Sequence, residues 1–117
     1  MITEDGRFFD CLRAHNVAHV YNAWTRMPGI REQLAMPGSH TSDLIVARAL
    51  LKNGRPYEDA VRMFAPYARV QEVNEEVRAG LREILDMAVV DGRPAFVFVN
   101  NRLEGNSPGT IVAITDG

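Results

Sequence analysis

Residues 94–99, Pro94-Ala95-Phe96-Val97-Phe98-Val99, are an unbroken apolar run that passes directly into Asn100-Asn101-Arg102. A short run of β-branched and aromatic residues without polar alternation suits a strand covered on both faces, the pattern of parallel sheets. The stretch before it reads as a helix. Asn74 is a good amino-terminal cap, and Glu75 and Glu76 complement the positive end of the helix dipole. Val77, Leu81, Ile84, Leu85 and Ala88 then recur at helical spacing until Asp91-Gly92 ends the pattern. An amphipathic helix leading into a buried strand is the second half of a βαβ unit, so a first strand is sought upstream.

That strand is read over 43–48. Leu44-Ile45-Val46-Ala47 favours β structure, although Ala47-Arg48-Ala49-Leu50-Leu51 taken alone favours helix. Pro56 is placed at the first position of a further helix with Glu58 and Asp59 near its positive end. Tyr57, Val61 and Phe64 form its apolar stripe, and Pro66 stops it. Further upstream, Phe8, Cys11, Leu12 and His15 fall at i, i+3, i+4 and i+7, which predicts a helix over 5–15 that Asn16 breaks. Val17-Ala18-His19-Val20-Tyr21 is read as a strand, 22–29 as a loop closed by Pro28-Gly29, and 30–35 as a short helix. Downstream, Ser107 is read as a cap and Pro108 as the first residue of a last helix carrying Ile111, Val112 and Ile114. The predicted order is α-β-α-β-αα-β-α. Strands that alternate with helices, joined by right-handed crossovers, lie parallel.

The chain has 117 residues, enough for one small domain, with an ordinary globular balance of 46% hydrophobic and 24% charged residues. The net charge of −2 gives no broad attraction to nucleic acid. One cysteine, Cys11, excludes an internal disulfide and is read as a small apolar residue of the first helix, in a reducing, cytoplasmic protein. The acidic start, Met1-Ile2-Thr3-Glu4-Asp5-Gly6, does not read as a signal peptide, and no apolar run has the roughly 18 residues of a membrane span. His15, His19 and His40 lack metal-ligand spacing, and no nucleophile triad, Walker loop or dinucleotide fingerprint is present. No metal and no cofactor are expected.

The stretches VAHVYNAWTRMPGIREQLAMPG (17–38), SDLIVARALLKNGRPYEDAVRMFAPYARVQE (42–72) and AFVFVNNRLEGNSPGTI (95–111) resemble the carboxy-terminal segments of the domain of unknown function 72 (DUF72, YecE-like) family. The strand followed by Asn100-Asn101 is the most specific part of the resemblance, and Arg48 on its strand also fits. Many members follow that arginine with His-Gly, where this chain has Ala49-Leu50, so no role of that histidine carries over. The resemblance implies an α/β fold, with 1–117 a single partial domain comprising about the last three βα units of a TIM (β/α)-barrel. A complete barrel has eight strands in about 250 residues. The family's activity is not established, and the resemblance implies no reaction.

Barrel geometry places ligands at the carboxy-terminal ends of the strands. Those ends carry Asn22 and Trp24, then Arg48, then Asn100, Asn101 and Arg102. Gly105-Asn106-Ser107-Pro108 has the character of a phosphate-binding helix start, with free N–H groups and a favourable dipole. A small anionic or polar ligand is therefore expected, bound by Arg48 and Arg102, oriented by the asparagines including Asn106, capped by Ser107 and walled by Trp24. Each residue also has a structural reading: Asn100-Asn101 as a turn, Ser107 as a cap only, Trp24 as packing, and Arg48 in an ion pair with Asp43, Glu32 or Glu104. Glu104 is the only carboxylate beside the Asn-Asn loop. Nucleic-acid handling by analogy with repair-nuclease barrels is a competing reading. Another is a truncated or split barrel piece without activity of its own. In that case Val97 and Val99, or Phe96 and Phe98, face water, and a homodimer or the missing amino-terminal half of the barrel is expected to cover them.

Overall fold

The structure is a computed structural model that describes residues 7–24 and 27–116. Its elements are α1 (Arg7–Ala14), β1 (Val20–Ala23), α2 (Ile30–Ala35), β2 (Ile45–Ala49), α3 (Tyr57–Phe64), α4 (Glu75–Asp91), β3 (Ala95–Val99), α5 (Asn101–Glu104) and α6 (Ser107–Thr115). The three strands form one parallel sheet in the order β1-β2-β3. The fold is thus mixed α/β with alternating strands and helices, as the alternation of patterns predicts. Sequential order has a geometric consequence. Crossovers of one hand that advance in one direction put their helices on the same face of the sheet. Tyr21, Ala23, Ile45, Ala47, Ala49 and Val97 all belong to the core packed against α2, α4 and α6.

On the opposite face no helix layer covers β3 among the described residues, while at β1 Val20 and Asn22 line a cleft with Phe8, Leu12 and Met27. Pairing sets Val20 beside Val46 and Phe96, and Asn22 beside Arg48 and Phe98. Side chains alternate across a strand, so these six share the open face. Phe96 is 49% exposed and Phe98 58% exposed. The unbroken apolar run of β3 therefore does not have two covered faces. It is apolar on the core side because of burial, and apolar on the other side without any layer over it.

Several boundaries move for identifiable reasons. The strand expected at 17–21 begins at Val20, because Asn16 adopts positive φ, the Val17 N–H closes back on Leu12 O at 2.9 Å, and the His19 N–H donates to Thr41 Oγ1 at 2.7 Å. It runs on through Asn22 and Ala23, which the sequence places in a loop. Strand β2 is likewise displaced toward Ala49. The predicted helix over 5–15 is α1, with residues 5 and 6 outside the described residues. Cys11 lies on its exposed side rather than in its apolar face. In α3, Pro56 is the residue before the helix rather than its first, and Ala60 and Phe64 are buried while Tyr57 stands out at 50% exposure.

The long helix α4 follows its sequence pattern closely. The Asn74 side chain accepts the Val77 N–H, and Val77, Leu81, Ile84 and Ala88 are buried. Gly80 is buried with them because α2 crosses closely there: a Cβ at Gly80 would lie 2.8 Å from Ile30 Cγ2. No helix among the described residues is long and apolar enough to cross a membrane.

Candidate functional site

Asn22, Arg48 and Phe98 form one row across the carboxy-terminal half of the open face. The Arg48 side chain is exposed and makes no hydrogen bond or ion pair with any described residue. Its three expected carboxylate partners do not pair with it. A guanidinium on an apolar sheet face, with an amide and an aromatic edge beside it, is suited to a carboxylate, sulfate or phosphate group. Asn22 is partly committed, since its Nδ2 donates to Val20 O at 3.2 Å.

The loop after β3 is built by its own side chains. Asn100 caps α5: its Oδ1 accepts the Arg102 N–H at 2.9 Å and Arg102 Nη1 at 3.2 Å. The Arg102 guanidinium lies 4.4 Å over the Tyr57 ring, and its buried Nε has no hydrogen-bond partner. Asn101 Oδ1 accepts the Ser107 N–H at 2.7 Å. Asn106, not Ser107, is the cap of α6; its Oδ1 accepts the Gly109 N–H at 2.8 Å and its Nδ2 donates to Tyr67 O at 2.8 Å. Pro108 has no N–H, and the Thr110 N–H is taken by Asn106 O. The donors at the start of α6 are thus all engaged within the chain, and Asn101, Asn106 and Ser107 serve to shape the loop.

Trp24 stands elsewhere. It is 47% exposed and lines a cleft of about 270 Å³ with Pro28, Ile30, Lys52, Asn53 and Asn74, on the side where α2 and α4 begin. Arg48, Asn100 and Arg102 are not among the residues of that cleft. The structure therefore groups Asn22 with Arg48, and Asn100 with Arg102, and leaves Trp24 outside both.

Glu104 is fully buried and its role is structural. Arg78 Nε and Nη2 each donate to its carboxylate at 2.8 Å, the Thr110 hydroxyl donates at 2.6 Å, and the Asn74 N–H donates at 2.7 Å. Burial raises the carboxyl, but the bonds from Arg78, Thr110 and Asn74 outweigh it and hold the group below its ordinary value. A carboxylate so held is a poor proton acceptor. The sequence signal for it is Arg78 on the edge of the apolar stripe of α4, three residues before Leu81 and seven before Leu85, where a charge needs a partner.

A second polar cluster escaped the sequence reading. His19 Nε2 lies 3.1 Å from Gln33 Oε1, and Gln33 Nε2 donates to Asn22 O and Pro28 O. The Tyr21 hydroxyl lies 2.8 Å from Ser39 Oγ and 3.1 Å from His40 Nδ1. Burial lowers both imidazoles; the Gln33 bond opposes this at His19, and Arg93 adds to it at His40, where Asp91 opposes it. Groups kept neutral in the fold bind fewer protons than in the unfolded chain. Their contribution is complete above the ordinary imidazole value and is lost as pH falls through the lowered one. The melting temperature is expected to drop between about pH 7 and about pH 5, and substituting both histidines by asparagine should flatten that slope. A melting temperature unchanged over this range would contradict the assignment. No cluster of three or more His, Cys, Asp or Glu suited to a metal occurs among the described residues.

No family model, no curated protein and no solved structure matches this chain.

Proposed function

We propose that the chain binds a small anionic or polar ligand at the carboxy-terminal end of its open sheet face, with Arg48 as the charged contact and Asn22 as the orienting amide. The observation that carries this reading is the Arg48 guanidinium, which has no partner among the described residues and stands on a face whose other residues are apolar except for Asn22. An unpaired charge there loses part of its hydration to its apolar neighbours, and an anion would restore its hydrogen bonds. Arg102, bonded to Asn100 and stacked on Tyr57, forms a separate group after β3 and is not needed for this contact.

The same proposal takes the sheet as an arc of a (β/α)-barrel of the DUF72, YecE-like type. Three sequential parallel strands with every core helix on one side support that reading. The bare face also favours a reading as one piece of a split barrel. In either case the ligand class is read from Arg48 and not from a reaction, and no acid–base pair is assigned.

Thermal melts in inorganic phosphate, sulfate and citrate, at constant ionic strength, test the site. A stabilisation of about 1–3 kcal/mol is expected at saturating anion. Arg48→Ala should abolish it, while Arg48→Lys should retain part of it. An equal shift in the wild type and in Arg48→Ala would overturn the proposal.

A further inference from the structure

The two edges of the sheet are not equivalent. In a strand, the N–H and C=O of one residue point to the same side, and the side alternates. The bond from Leu50 N to Ala23 O shows that Tyr21 and Ala23 turn toward β2, so Val20 and Asn22 turn outward. Both outward carbonyls are already capped: Val20 O by Asn22 Nδ2 and Asn22 O by Gln33 Nε2. The β1 edge is thereby blunted.

The β3 edge has no such protection. Ile45 N donates to Pro94 O and Asn100 N to Ala49 O, so the even-numbered residues of β3 face β2. Ala95, Val97 and Val99 therefore turn their main-chain groups outward, and no side chain among the described residues hydrogen-bonds them. The strand carries no charge, proline or bulge that would discourage pairing. On its open face, Phe96 and Phe98 are half exposed.

We propose that β3 is the interface of a homodimer in which two copies pair β3 antiparallel about a twofold axis that passes between their Val97 residues. The register is self-complementary. Val97 opposes Val97 of the second copy, and Ala95 opposes Val99, so the outward groups of all three residues are the ones that meet. Phe96 then falls directly opposite Phe98 at a non-hydrogen-bonded position, where side chains approach most closely, and the symmetry gives this aromatic pair twice. The helix layer runs α2-α4-α6 alongside β1-β2-β3, so α6 stands on the same flank and adds the exposed Ile111 and Val112. A face-to-face arrangement of two bare sheets would instead set the two unpaired Arg48 groups into one small apolar contact. Two five-residue edges with their rings and α6 make a short contact beside the roughly 1,200–2,000 Å² of persistent interfaces. The dimer should therefore be concentration-dependent, with a dissociation constant on the order of micromolar. It does not depend on the ligand reading.

Sedimentation velocity of the full chain from about 1 µM to about 300 µM tests the association. A monomer–dimer equilibrium is expected, weakened at least about tenfold by Phe96→Lys, which places a charge on the open edge without touching the core. The register is tested in a Cys11→Ser background by mixing Phe96→Cys with Phe98→Cys under oxidation. The mixture should form disulfide dimers, and each variant alone should form far fewer. A monomer throughout the range would overturn the proposal. So would a dimer insensitive to Phe96→Lys, or cross-linking of Phe96→Cys alone that equals the mixture.

Discussion

Glu104→Ala is expected to destabilise the fold by about 3–5 kcal/mol, the usual cost of leaving one partner of a buried ion pair uncompensated. Glu104 joins three elements: it accepts from Arg78 on α4, from the N–H at the cap of α4, and from Thr110 on α6. Its main-chain carbonyl also accepts the N–H groups of Gln71 and Glu72. The substitution leaves the Arg78 guanidinium and the Thr110 hydroxyl facing a cavity, so loss of the attraction is joined by unsatisfied donors. Against a total stability of about 5–15 kcal/mol this is a large fraction, equal to a fall in melting temperature of roughly 10–20 °C. Urea unfolding at constant slope is the direct measurement. A paired change, Glu104→Leu with Arg78→Met, should recover much of the loss, because it removes both charges together. A single variant within about 1 kcal/mol of the wild type would contradict the structural role given to this carboxylate.

The second large effect is expected at Phe64, where alanine should cost about 3–5 kcal/mol. Phe64 is 1% exposed and anchors α3 in a small core with Leu51, Ala60 and Tyr67. The Arg55 guanidinium lies 5.2 Å over its ring, and Gln71 Nε2 donates to its carbonyl at 3.2 Å. The same ring supports the loop after β3. At Gly105, where φ is +113°, an added Cβ would lie 2.9 Å from Arg69 O and 3.4 Å from Phe64 Cδ1. Removing the ring should thus loosen the segment that carries Asn100 and Arg102, not only α3. Tyr57→Ala is the control. The sequence puts Tyr57 in the same stripe, yet its ring is half exposed and contacts the Arg102 guanidinium, which is worth about 0.5–1 kcal/mol at such a site. Equal losses at Phe64 and Tyr57 would mean that the stripe, and not the observed packing, sets the energetics.

Much of the architecture is legible in the residues themselves. Asn74 caps α4, and Val77, Leu81, Ile84 and Ala88 face the core as their spacing requires. This holds because a cap and an amphipathic stripe are local devices whose energy depends on neighbours a few residues apart. The apolar run at 95–99 is equally local, and it forms β3 where it is expected. Alternation with helices makes the sheet parallel, since crossover handedness follows from strand twist.

What the sequence could not decide are quantities that depend on distant partners. Whether β3 has one covered face or two depends on how many layers the whole fold supplies, and an apolar run looks the same in either case. The exposure of Phe96 and Phe98 thus emerges only in three dimensions. The fate of the charges is similar. Arg78 and Glu104, 26 residues apart, are paired and buried, while Arg48 stands without a partner among the described residues. Sequence separation gives no hint of which arginine finds the carboxylate. The asparagines show the same limit within one loop. Asn100, Asn101 and Asn106 share the chemistry of a ligand contact and of a cap, and only the positions of the neighbouring N–H groups assign them to capping. Local periodicity and chirality are enough to read the three strands, the longer helices and the parallel sheet from the residues, but not α5, which lies where the sequence reads a loop. The tertiary structure decided the bare face, the open β3 edge and the solitary Arg48, because those depend on which groups distant in the chain do or do not meet.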